Sequence, residues 1–259
     1  MQQSLLWKLS KEGHHDSFLF GTMHVKSQRV FTRLTQLKEL ILESDLFIAE
    51  YNLDNIQFVQ HAEDLLIPDG KSLSDLIGEK KFRKIHKIIE KSFKVDLRQF
   101  EYYLPLLIVN IIGEAILTKD YHLPLDIFLW NFAKESEKEL DGVETYASQQ
   151  QIMQAIKMKD QLKMVKDISK RPYIYRKNIL KMAKWYEEES INLLYKNGKK
   201  SLGKYKHILL KKRNFIMADR FEELTLNQKS FMAVGAGHLA GQHGILKLLK
   251  DKGWKLKAI

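Results

Sequence analysis

Two short apolar runs end in the same polar phrase. Phe18-Leu-Phe is followed by Gly21-Thr-Met-His24, and Phe231-Met-Ala-Val by Gly235-Ala-Gly-His238, more than two hundred residues later. Each run is too short and too uniformly apolar for an amphipathic helix and predicts a buried strand. Glycine at the exit lets the chain turn or pass close to a neighbour, so that the histidine three residues on is presented from the strand's carboxyl end.

The remaining pattern supplies the elements around these strands. Leu5–Leu9 and Ser17–Met23 predict a hairpin across the polar turn Lys11–Asp16, with His14 and His15 at its exposed tip. Phe31–Ser44 has apolar residues at helical spacing, and Asp45–Glu50 is a compact strand closed by a carboxylate. Strand, helix, strand predicts parallel pairing. Residues Asp54–Thr118 are helical in pattern, including a buried helix over Leu104–Leu117. A helix over Leu125–Ser136 and a strand over Glu139–Glu144 come next. Three long helical segments follow at Tyr146–Ile168, Pro172–Tyr195 and Ser201–Leu224, the last two parted at Asn197-Gly198. Gln228–Val234, His243–Lys252 and Trp254–Lys257 again read strand, helix, strand. The expectation is an α/β fold, with a central mixed sheet built from both termini as duplicated β-α-β halves, flanked by helices. A large helical middle region completes a single domain over 1–259, with a helical insertion over about 54–118 and a basic helical region over about 146–225.

At 259 residues, with 44% hydrophobic and 10% aromatic content, the chain can bury a substantial core. It has no cysteine, which excludes disulfides, thiolate metal sites and thiol catalysis. No signal peptide is legible at the start, so the compartment is left open: cytoplasmic, or exported after loss of a leader. No apolar run reaches the length of a membrane span. The formal charge of +11 is concentrated: Gln151–Arg213 holds 18 Lys/Arg against 5 Asp/Glu, a local +13. Such a segment is either a solvated helix surface or attractive to anionic partners. No nucleic-acid module accompanies it, so nucleic acid is an unfavoured partner.

The two histidines suit one divalent ion, since a neutral imidazole is the commonest nitrogen ligand for such metals. Glu50, at the end of an apolar strand, is costly to bury unpaired and needs a metal, an arginine or water. His24, His238 and Glu50 form a two-histidine, one-carboxylate set that leaves positions open for water and substrate. Glu50 is equally readable as a general base beside the ion. Arg213 suits an oxyanion or a substrate carboxylate, or a fixed ion pair with Glu50 or Glu144, and Asn214 adds a neutral donor. Glu144 and Asp126 read as caps of backbone amides, and His243 as a surface residue. Neither a Gly-x-Ser-x-Gly elbow nor a His-Glu-x-x-His helix is present.

In order, Phe20-Gly-Thr-Met-His24, Ala49-Glu50, Leu125-Asp126, Leu140-Asp-Gly-Val-Glu-Thr145, Arg213-Asn214 and Val234-Gly-Ala-Gly-His-Leu-Ala-Gly241 resemble the anchors of the TraB/GumN family. Its animal relatives are the Tiki-type metalloproteases, with erythromycin-esterase and ChaN-like folds as distant kin. The resemblance implies an α/β fold with a site built from the two Gly-x-x-His histidines, the strand-end glutamate and the Arg-Asn pair. For the Tiki branch it further implies peptide hydrolysis dependent on manganese or cobalt, with zinc also compatible; some bacterial members are linked to shutting down peptide pheromones. Two positions depart from the family pattern: Gln242-His243, where an acidic residue or proline is common, and Lys212, where glutamate often precedes Arg-Asn. The expectation is a metal-dependent hydrolase acting on a peptide or small molecule. The alternative is a protein that binds and sequesters such a ligand without turnover. Association of identical copies is left open.

Overall fold

The computed structural model describes residues 2–54 and 62–259. The chain divides into two compact units. The first comprises Met1–Asp54, Lys119–Ile152 and Ala183–Ile259, and the second Asn55–Thr118 with Met153–Met182.

The first unit holds one six-stranded mixed sheet. Its strands are β1 (Leu6–Ser10), β2 (Ser17–Thr22), β3 (Leu46–Tyr51), β4 (Glu139–Glu144), β5 (Ser230–Gly235) and β6 (Lys255–Ala258), in the order β4-β3-β5-β2-β1-β6. The first four in that order run parallel, and β1 is antiparallel to both β2 and β6. The hairpin, the Glu139–Glu144 strand and the assembly of the sheet from both termini all agree with the sequence pattern.

The strand-helix-strand inference needs correction in one respect. β2 and β3 are parallel but not neighbours, because β5 lies between them, with Phe231 beside both Phe18 and Phe47. Phe231, Met232 and Val234 are wholly enclosed in that place, and Leu19 of β2 and Ile48 of β3 on either side are equally so. The Phe47 and Phe231 rings stack at 5.8 Å, and Trp130 meets Phe47 edge-on. Helices α1 (Leu34–Leu42) and α5 (Leu125–Glu135) belong to this unit; Leu37, Ile41, Leu125 and Leu129 are fully buried.

The second unit is helical, with α2 (Leu73–Ile77), α3 (Glu79–Phe93), α4 (Pro105–Glu114) and α7 (Met158–Lys170). Ile89, Leu97, Ile108 and Ile112 form its core. The helical pattern over Asp54–Thr118 includes 55–61, which lie outside the described residues. No described helix is long and apolar enough to cross a membrane.

The long helical segments are divided differently from the sequence pattern. Tyr146–Ile168 is two helices, α6 (Tyr146–Ala155) and α7. The next break falls not at Asn197-Gly198 but after α8 (Pro172–Glu187), where Glu189 takes a left-handed φ of 53°. Gly198 lies inside α9 (Ile191–Leu202), where glycine weakens a helix without ending it. A six-residue π-helix, His207–Lys212, then runs directly into α10 (Arg213–Leu224), and α11 (Ile245–Asp251) precedes β6.

Candidate functional site

Because β4, β3, β5 and β2 are parallel neighbours, their carboxyl ends share one edge, where open α/β sheets bind ligands. The order along it is Glu144, Glu50 with Tyr51, Gly235 leading to His238, and Thr22 leading to His24. Thr22 pairs with Gly235, so the two Gly-x-x-His phrases leave adjacent strands side by side.

Two glycines make this fit. A Cβ on Gly21 would lie 2.6 Å from Leu239 Cδ1 and 3.0 Å from the Ala236 Cα, so β2 and the turn after β5 approach closely only without a side chain there. A Cβ on Gly235 would stand 3.1 Å from Glu50 Oε1, the oxygen that accepts the Gly235 N–H at 2.7 Å. The Gly21 carbonyl accepts the Tyr186 hydroxyl at 2.7 Å.

At the centre is Arg213, placed on the first turn of α10 by the π-helix before it. Nε and Nη2 fork onto the two oxygens of Glu144, whose side chain is wholly buried, at 2.7 and 2.8 Å. Nη2 also donates to Glu50 Oε2 at 2.5 Å, and Nη1 lies 3.3 Å from His238 Nε2. The two carboxylates hold the guanidinium charged, its pKa raised against the opposing pull of burial. For Glu50, burial favours the neutral form, but Arg213, His238 and the Gly235 amide outweigh it and hold the carboxyl at about 2. Glu50 is therefore ionised at neutral pH and a weak proton acceptor, which favours electrostatic or ligand duty over general-base duty.

His238 is buried. Burial, helped by Arg213 and opposed by Glu50, lowers its pKa to about 4, so the ring is neutral at pH 7. Its tautomer follows from Asn214, which is 1% exposed. Asn214 Nδ2 donates to the His243 carbonyl at 2.6 Å, which turns Oδ1 toward His238 Nδ1 at 2.5 Å. An amide oxygen only accepts, so Nδ1 carries the hydrogen and Nε2 the lone pair. Nε2 stands 3.8 Å from Glu50 Oε1.

His24 is built in the same way. Its Nδ1 meets both oxygens of Asp126, at the start of α5, at 2.9 and 2.7 Å, and since a carboxylate only accepts, Nδ1 is the donor. A ring N–H held by an oxygen acceptor is the usual companion of a metal-ligating histidine.

The structure thus gathers Glu50, His238, Arg213 and Asn214 into one hydrogen-bonded group. His24 lies at the same strand-end edge, on the neighbouring strand's exit, paired with Asp126 and half exposed. The donor chemistry of His24, His238 and Glu50 suits a divalent ion, but their ligand atoms do not close into one cluster. Among the described residues the one trio of ligand atoms within 4.8 Å of one another is His86, Glu90 and Asp96 in the second unit.

A model of the TraB/PrgY/gumN family matches residues 5–258. The chain belongs to that family. Comparison with curated proteins found no match, and comparison with solved structures found none. In this TraB/PrgY/gumN chain every anchor that carries the resemblance falls in the first unit, and most line the shared strand-end edge.

Two features of this TraB/PrgY/gumN edge differ from the sequence expectation. Glu144 and Asp126 read there as amide caps; instead Glu144 takes the fork of Arg213, the ion pair that the sequence left open between Glu50 and Glu144, and Asp126 is the partner of His24. The signal for Glu144 was its strand-end position, matched in register to Tyr51. Tyr51 was not singled out; burial and the charges of Asp126 and Glu50 raise its hydroxyl pKa, so it remains a neutral donor at the edge.

Proposed function

We propose that the protein is a metal-dependent hydrolase, acting as a peptidase, whose divalent ion is held by His24, His238 and Glu50. The observation that carries this reading is the matched placement of the two histidines at the exits of adjacent strands, each with Nδ1 held by an oxygen acceptor. Manganese or cobalt is the expected ion by family resemblance. Such an ion supplies Lewis acidity and a water of lowered pKa.

The chain's own groups do the rest. The Gly235 amide and Arg213 fix the Glu50 carboxylate, while Asn214 and Asp126 fix the imidazoles. His24, held by Asp126 at the exit of the strand beside β5, brings the second imidazole to the same edge. Nε and Nη2 of Arg213 are committed to carboxylates, so Nη1 is the arm that donates to the carbonyl oxygen as it gains negative charge. Water adds to the carbonyl carbon, the C–N bond breaks, and the amine departs with the proton that the water gave up.

One observation favours a second reading, a protein that binds a peptide or small molecule without turnover: Arg213 already satisfies both carboxylates and faces His238 Nε2. Peptide-library cleavage with added manganese or cobalt separates the two. The hydrolase reading predicts metal-dependent products that disappear in a His24→Ala/His238→Ala variant; products retained in that variant, or intact peptides at saturating metal, contradict it.

A further inference from the structure

From Ile191 to Arg213 the sequence has eight Lys/Arg and no Asp/Glu. The structure folds this stretch into α9, a short turn and the π-helix, which with the turn after His238 enclose a cavity of about 560 Å³. Lys196 and Lys199 of α9, Lys206, and Lys211 of the π-helix line it. Among the described residues none of these four ammonium groups has a carboxylate within 4.0 Å. Lys8, Lys229 and Lys252 of the same unit each do. Like charges around one concavity raise its positive potential, which a bound anion relieves.

The cavity is joined to the strand-end site through shared residues. Asn214, which fixes the His238 tautomer, lines it, as does His243, whose carbonyl holds Asn214. Tyr195 packs on Gly241, where φ is +95° and an added Cβ would lie 2.3 Å from the ring. The wall of the cavity and the turn that presents His238 are therefore packed as one piece. Tyr195 and Leu210 give the lining an apolar component, suited to the body of a peptide. A concavity of this volume takes a few side chains and is too small for a nucleic-acid duplex, whose phosphates need an extended basic track.

We propose that this cavity is an anion subsite that draws the acidic side chains of a peptide toward the Glu50–His238 edge. Acidic peptides are thus the substrate class. The proposal deepens the hydrolase reading and rests on it for the word substrate, but the binding it asserts is separable from turnover. The basic segment that composition alone leaves ambiguous then brings negative charge to a site whose one committed cation, Arg213, is already engaged.

The test uses the full chain with chelator present, so that binding is read without cleavage. Fluorescence anisotropy compares a labelled peptide rich in glutamate with the same peptide carrying glutamine at those positions. The glutamate peptide is expected to bind at least about tenfold more tightly at low salt, with the preference shrinking as salt screens the charges. A Lys196→Gln/Lys199→Gln/Lys206→Gln/Lys211→Gln variant is expected to lose the preference, and the corresponding all-arginine variant to keep it, with unchanged urea midpoints confirming that both fold. Equal binding of the two peptides by the unmodified chain would overturn the proposal, as would an undiminished preference in the glutamine variant. Displacement of the peptide by a single-stranded oligonucleotide at lower concentration than by unlabelled peptide would overturn the assignment to peptides. Absence of cleavage under every metal condition bears on the hydrolase reading alone.

Discussion

Nδ1 of His238 donates to Oδ1 of Asn214 at 2.5 Å, inside a site where Asn214 is almost completely enclosed. The bond sets which imidazole nitrogen carries the lone pair, and so what the ring can do. Asn214→Ala leaves the His238 N–H and the His243 carbonyl without their partner, and each such orphan costs about 1–3 kcal/mol. Urea unfolding is expected to show a loss of that order. Nitrogen NMR of the imidazole in the unmodified chain is expected to show a protonated Nδ1 and an unprotonated Nε2.

Arg213 and Glu144 form a buried fork that a point charge cannot reproduce. Arg213→Lys keeps the charge and loses the paired geometry. Glu144→Gln removes the charge that balances an enclosed guanidinium, and breaking such a pair costs about 3–5 kcal/mol. Denaturation midpoints are expected to fall in both variants, and further in Glu144→Gln.

Asp126 and His24 are paired in a partly solvated setting, so their bond contributes little to stability. Its proposed value lies in orienting a ligand. Asp126→Ala is expected to leave the unfolding midpoint nearly unchanged while weakening manganese binding about 10–100-fold, the usual effect of losing a ligand's hydrogen-bond partner. Calorimetric titration with manganese measures it.

The metal-free protein is expected to lose stability as pH falls, in two windows. His238 protonates near 6.5 when unfolded but only near about 4 when folded, so the unfolded chain takes up the extra proton between those values and stability declines across them. Glu50, at about 2 against 4.5, contributes stability that is complete above 4.5 and disappears between 4.5 and about 2. Urea midpoints followed from pH 7 to 4 with chelator present are expected to fall, and to flatten between 6.5 and 4 in His238→Asn. An equally steep decline in that variant would assign the window to other groups.

How far the sequence reveals this site depends on the length scale of each feature. The strands were legible because Phe18–Phe20 and Phe231–Val234 are continuous apolar runs closed by glycine, and the parallel strand order then fixes a common edge. The insertion of β5 between β2 and β3 was not legible, since local periodicity says nothing about which buried strand takes the centre. The helix break at Glu189 was hidden because a glutamate holds the left-handed position, while Gly198 sits harmlessly inside α9. Glu50, His238, Arg213 and Asn214 were each visible by residue type and position. An ion pair of Arg213 with Glu50 or Glu144 was open from residue type alone; that Arg213 holds both, its fork onto Glu144 joining α10 to β4 across 69 residues, and that Asn214 orients His238, was not. The lysine-lined cavity was visible only as charge, for the concavity exists once α9 and the π-helix fold against the turn after β5.

The most direct measurement is the stoichiometry of manganese binding by equilibrium dialysis, in an Asp96→Ala background that removes the His86 cluster from consideration. If histidines from opposite ends of the chain share one ion, the background protein binds one manganese per chain, and either His24→Ala or His238→Ala abolishes that binding. Undiminished binding in both single variants would contradict the shared site and with it the hydrolytic mechanism built on it.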